Sequence, residues 1–166
     1  ACTTVQMNSQ PAPVYEQIAG NYGLATGYRT IAYAVASTAM GYDTVASGKA
    51  STAMGNITVA SGKASTAMGQ TTVASGYAST AMGNNTKALK NHAFAMGNGT
   101  EASGENSTAM GNNTKALKNH AFAMGNGSVA SGDASTAMGY NTVASGYAST
   151  AMGFETRVGL FKTIDD

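Results

Sequence analysis

The triplet Ala-Met-Gly begins at Ala39, Ala53, Ala67, Ala81, Ala95, Ala109, Ala123, Ala137 and Ala151, and every interval is 14 residues. Ala25-Thr26-Gly27 carries the register one step earlier, so about ten coils run from Gly23 to Lys162 without insertion or deletion. Such strict spacing needs a physical cause. In a solenoid each residue stacks on its counterpart one coil away, about 4.8 Å along the axis, so an indel would break every ladder beyond it. A coiled coil is the helical alternative, because 14 is two heptads. It fails here: most coils carry two Gly, each costing about 1 kcal/mol in a helix, and the apolar positions do not follow a/d spacing.

With Ser37 as position 1, one coil reads STAMGYDTVASGKA. Position 3 is Ala and position 5 Gly in all ten coils; position 8 is Thr in nine (Ser128 differs) and position 10 is Ala in nine (Val158 differs). Position 12 is Gly in six, at Gly48, Gly62, Gly76, Gly104, Gly132 and Gly146. Two short strands fit, Ser-Thr-Ala-Met-Gly and Thr-Val-Ala-Ser-Gly, each closed by a turn such as Tyr42-Asp43 or Lys49-Ala50. Strand side chains alternate between faces. Positions 1, 3, 5, 8, 10 and 12 then point inward, and positions 2, 4, 9 and 11 outward. The expected interior is Ala39, Gly41, Ala53, Gly55, Ala67, Gly69, Ala81, Gly83, Ala95, Gly97, Ala109, Gly111, Ala123, Gly125, Ala137, Gly139, Ala151 and Gly153. Composition agrees: the chain is 43% hydrophobic, but mostly through Ala and Met, with no Trp. Only 10% of residues are charged, and that with frequent β-branched residues argues against disorder.

Position 4 gives a ladder of nine Met: Met40, Met54, Met68, Met82, Met96, Met110, Met124, Met138 and Met152. Position 2 beside it is Thr in seven coils and Phe at Phe94 and Phe122. An outward apolar stripe about 40 Å long, at ~4.8 Å per coil, is too large to leave in water. The expected remedy is self-association through the Met and Phe face, since Met packs adaptably against itself. The opposite arrangement, Met inside and Ala and Gly outside, fits a narrow coil poorly.

Ser-Thr-Ala-Met-Gly followed by Thr-Val-Ala-Ser-Gly resembles the head repeat of YadA-like trimeric autotransporter adhesins, over residues 23–153. Met and Thr stand where that family usually has Ile and Val. The resemblance implies an all-β, left-handed parallel β-roll, a homotrimer with the apolar ladder at its axis, and an extracellular or cell-surface adhesive role toward a matrix or cell-surface ligand. The C-terminal stretch from Phe154 to Asp166 does not match the family's neck. The family's export and anchoring functions therefore do not transfer. A filament subunit linked through its terminal segments is the main alternative, and an ice-binding solenoid displaying Thr ladders is another.

Residues 1–22 fall outside the repeat and read as a cap or linking segment, with Pro11 and Pro13 excluding a central strand. Residues 163–166 are a tail. Cys2 permits no intrachain disulfide, and Ala1-Cys2 resembles the end of a lipobox without the residues that should precede it. No signal peptide is visible, and no apolar run is long enough to span a membrane. Net charge +1 gives no reason to expect nucleic acid.

Two stretches, Asn84–Gly97 and Asn112–Gly125, are identical, reading NNTKALKNHAFAMG, as a recent duplication would leave them. Each places Lys (Lys90, Lys118) at position 12, where burial would be costly, so a bulge or altered turn is expected there. His92 and His120 read as solvated turn residues, because no Cys or carboxylate stands at a ligand spacing. The Asn98-Gly99 and Asn126-Gly127 pairs suit turns of positive φ. The Asn-x-Ser/Thr sequons follow from the repeat itself, since Thr occupies position 8. The Gly residues are periodic rather than gathered into a phosphate loop, and Ser and Thr lack a base. No catalytic, cofactor or metal site is expected, and the chain reads as non-enzymatic.

Overall fold

The structure, a computed structural model, describes residues 18–159. Ala1 to Gln17 and Leu160 to Asp166 lie outside it, and with them Cys2, most of the expected N-terminal cap and the C-terminal tail. The described chain is an all-β parallel solenoid with no helix. Each coil contributes one five-residue strand, such as Thr38–Tyr42, and one two-residue strand, such as Val45–Ala46. The long strands form a ten-stranded sheet and the short strands an eleven-stranded sheet, each in simple coil order.

Register is uniform. Ala39 pairs with Ala53, Met40 with Met54 and Gly41 with Gly55, and the same 14-residue step recurs from Leu24 to Phe154. One departure stands at the beginning. Ile18 pairs with Ile31 and Ala19 with Ala32, a step of 13 residues. The Gly20 N–H reaches the Ala32 carbonyl at 2.7 Å, as the position-12 Gly48 N–H reaches that of Ala60 at 3.2 Å. One residue is therefore skipped at position 11. The roll begins by residue 18, inside the segment expected to be a separate cap.

The core is made of small side chains. Ala39, Ala53, Ala67, Ala81, Ala95, Ala109, Ala123, Ala137 and Ala151 are each 0% exposed, and the position-10 Ala residues pack against them. Thr and Ser at positions 8 and 1 fill the rest. The hydroxyls of Thr30, Thr44, Thr58, Thr72, Thr86, Thr100 and Thr114 are buried without a partner. Identical residues one coil apart, at about 4.8 Å, sit beyond hydrogen-bond reach of one another. Where Ser128 breaks the identity, a relay forms: Thr142 Oγ1 donates to Ser128 Oγ at 2.9 Å, and Ser128 Oγ to the Gly139 carbonyl at 2.9 Å.

The position-5 glycines do not belong to this interior. Gly41, Gly55, Gly69, Gly83, Gly111 and Gly153 are exposed, and Gly97, Gly125 and Gly139 half-buried. Their φ values lie between 115° and 129°, a region only glycine enters readily. That φ ends the in-out alternation on which the sequence expectation rested. A Cβ on Gly41 would run along the axis into the Gly55 carbonyl oxygen, and the same collision repeats up the stack. Close backbone approach between coils, rather than lack of interior room, requires glycine here.

Candidate interaction surfaces

Beyond the glycines the chain turns on residues with φ near +50°, such as Asp43 and Ala50. These two turns per coil separate two outward faces. On the long-strand face, positions 2 and 4 set Thr or Phe beside Met in every coil from Thr38 to Met152, with no charged residue among them. Met40, Met54, Met68, Met82, Met110, Met124 and Met138 are half-buried by neighbours within the chain, as are Phe94 and Phe122. Met96 remains 37% and Met152 59% exposed. The sequence-predicted Met and Phe residues thus stand in one continuous outward ladder.

The short-strand face differs. Position 9 holds Ile31, Val45, Val59 and Val73, then Lys87, Glu101 and Lys115, then Val129, Val143 and Arg157. Position 11 is mostly Ser, with Leu89 and Leu117 half-buried. Along one edge, position 6 carries aromatic pairs at both ends. Tyr28 stacks on Tyr42 with centroids 4.9 Å apart, and Tyr140 on Phe154 at 5.1 Å. Between them run exposed amides from Asn56 to Asn126, where the Asn84 Nδ2 donates to Gln70 Oε1 at 2.8 Å. Arg29 pairs with Asp43 at 2.9 Å on the same edge.

The duplicated coils keep the common turn. Lys90 and Lys118 are exposed, and the Ala93 and Ala121 N–H groups bond their carbonyls at 3.1 Å, as the Ser51 N–H bonds that of Gly48 at 3.1 Å. No bulge forms, contrary to expectation, and the register holds. The lysine side chains stand in solvent within that common turn. The Ala60 and Ala74 carbonyls each accept a second bond, from the Gly48 and Gly62 N–H groups at 3.2 Å, which the N–H groups of Lys90, Lys118, Gly76 and Gly104 do not make. Ser hydroxyls that bond the turn carbonyl elsewhere, such as Ser107 to Gly104 at 2.6 Å, are replaced by Ala93 and Ala121 in the lysine turns.

His92 and His120 are exposed in turns, and the His92 ring stands edge-on to Tyr77 at 5.4 Å. Among the described residues no three His, Cys, Asp or Glu side chains come together as a metal would need. Gly99 and Gly127 adopt φ of 64° and 66°, as the Asn-Gly turns suggested. The position-8 Thr ladder is turned inward and buried, so it presents nothing to an external lattice. No helix among the described residues is long and apolar enough to cross a membrane.

The uniform 14-residue coil, with Ala-Met-Gly on one strand and Val-Ala-Ser-Gly on the other, is the unit that a sequence model for the YadA head domain repeat describes. That model, two coils long, matches residues 32–56, 46–72, 60–86, 74–100, 102–128 and 130–156. The chain belongs to the YadA head domain repeat family. The YadA head matches cover both the Met ladder and the lysine coils. They stop short of the offset first coil at Ile18 and Ala19. No curated protein matches the chain.

Proposed function

We propose that this chain is the head of an extracellular or cell-surface adhesin, that three copies associate through the long-strand face in a left-handed roll, and that its work is structural and adhesive rather than catalytic. One observation carries the reading: the Met and Phe ladder runs uncharged up the whole solenoid and stays partly open to water in a single chain. Contiguous apolar surface of that extent is characteristic of an interface. Membership of the YadA head family, whose heads are parts of trimeric surface adhesins, supports the same assembly.

Sedimentation of the native chain tests it. The expected result is one species near three times the 16.6 kDa chain mass. A stable monomer overturns the interface. Large polydisperse particles would favour the end-linked filament.

A further inference from the structure

The two identical coils do something to the surface that no other coil does. In the other coils of the described solenoid, position 9 is Ile or Val in six and position 12 is Gly in six. Here Lys87 and Lys115 take position 9, and Lys90 and Lys118 take position 12. All four lysines are exposed, and none is ion-paired. Lys87, Glu101 and Lys115 lie in register on successive short strands. The lysine rows are therefore about 10 Å apart, two coils at ~4.8 Å. Within a row, Lys87 stands on the short strand Lys87–Ala88 and Lys90 in the turn that follows it. Leu89 and Leu117, half-buried, lie between the lysines of their rows.

We propose that this face binds a linear anionic polysaccharide along the solenoid axis, its sulfate or carboxylate groups meeting the two lysine rows. Three acids lie nearby, and they narrow the partner. Glu101 is half-buried between the rows. Glu105 accepts from the Asn91 amide at 3.4 Å, and an Asp133 carboxylate oxygen accepts the Asn119 N–H at 3.2 Å. A polymer with like charges on alternate sugar rings places them over the lysines and clears Glu101. Duplex nucleic acid, with a charge about every 1.7 Å along its axis, would press phosphates onto that carboxylate. The leucines give the sugar rings an apolar floor. The proposal takes its biological sense from the adhesin reading, but its geometry needs no trimer.

The test measures salt-dependent binding of the native chain to heparin and to hyaluronan, which carries carboxylates only. The key variant restores the pattern of the other coils: Lys87→Val, Lys90→Gly, Lys115→Val and Lys118→Gly. These residues already occupy those positions elsewhere, so the fold is kept. It should bind about ten-fold more weakly, with a shallower salt dependence, and Glu101→Gln should bind more tightly than the native chain. Hyaluronan carries its charge on alternate rings and heparin on every ring, so binding to hyaluronan supports the spacing and binding to heparin alone would overturn it. Lys49→Ala with Lys63→Ala, which removes charge outside the patch, should change binding less than about two-fold. Equal losses in the two lysine variants, no binding to either polymer, or tighter binding to duplex DNA would overturn the proposal. Intact polysaccharide binding by a chain that attaches to no cell surface would leave it standing and sink the adhesin reading.

Discussion

The two outward faces of this solenoid share one core and one register, yet they have been used in opposite ways. The long-strand face repeats Thr or Phe with Met and admits no charge over its length. The short-strand face begins with Ile and Val, breaks into Lys87, Glu101 and Lys115, and ends in Arg157. Nothing in the backbone forces this contrast, since both sheets are parallel and stack in register. The difference lies in what each ladder can tolerate. On the proposed assembly the long-strand face meets another copy and cannot carry a lone charge, because desolvating it costs several kcal/mol. A face left in water can vary coil by coil.

The sharpest way to break the contrast is to destroy what the faces share. Gly97→Ala would drive a Cβ into the Gly111 carbonyl and place Ala at φ of 126°. Overpacking and backbone strain together should cost about 4 kcal/mol, read as a lower thermal midpoint with both faces lost at once. Next comes a matched pair of charge insertions. Met96→Asp with Met110→Asp should dissociate the oligomer in sedimentation, each buried carboxylate costing about 3 kcal/mol or more. Val59→Asp with Val73→Asp, on the other face, should leave the mass unchanged. If both variants dissociate, or neither does, the assignment of faces is wrong.

Smaller effects sharpen the comparison by adjusting parts that belong to neither face. Ile57 sits in a turn at φ of 54°, where a β-branched residue is strained. Ile57→Asn should stabilise the fold by about 1 kcal/mol, seen as a higher urea midpoint with unchanged slope. A lower midpoint would show that the exposed Ile57 side chain is itself in use. Least of all, Thr72→Val removes a buried hydroxyl without a partner and should be neutral or stabilising by up to about 1 kcal/mol. A clear loss would mean that the Thr ladder is hydrogen-bonded after all.

Much of this was legible in the sequence because a ladder announces itself. Alanine recurring at position 3 has to stack, and Ala39 through Ala151 are buried together. The position-5 glycines misled because alternation assumes regular strand dihedrals, and a φ near +120° leaves no trace beyond the glycine itself. The coil at Ile18 escaped notice because one skipped residue erases a period without erasing the pairing. Lys90 and Lys118 suggested a bulge because a lysine cannot enter the core. The turn kept its own hydrogen bond and let the side chain out into solvent. The Met face could be read as outward from the size of its neighbours, since a coil lined with Ala has no room for Met.

The glycine stack also has a consequence for how such a chain changes over generations. Every coil offers the next one the same carbonyl above the same bare Cα, so any coil can follow any other. Copying or losing whole coils leaves each junction as it was, whereas a single inserted residue breaks it. The repeated NNTKALKNHAFAMG block, copied two coils away, is what inheritance in whole units leaves behind. Length, and with it the reach of the molecule, is then the trait most easily altered, while the profile of each coil stays fixed.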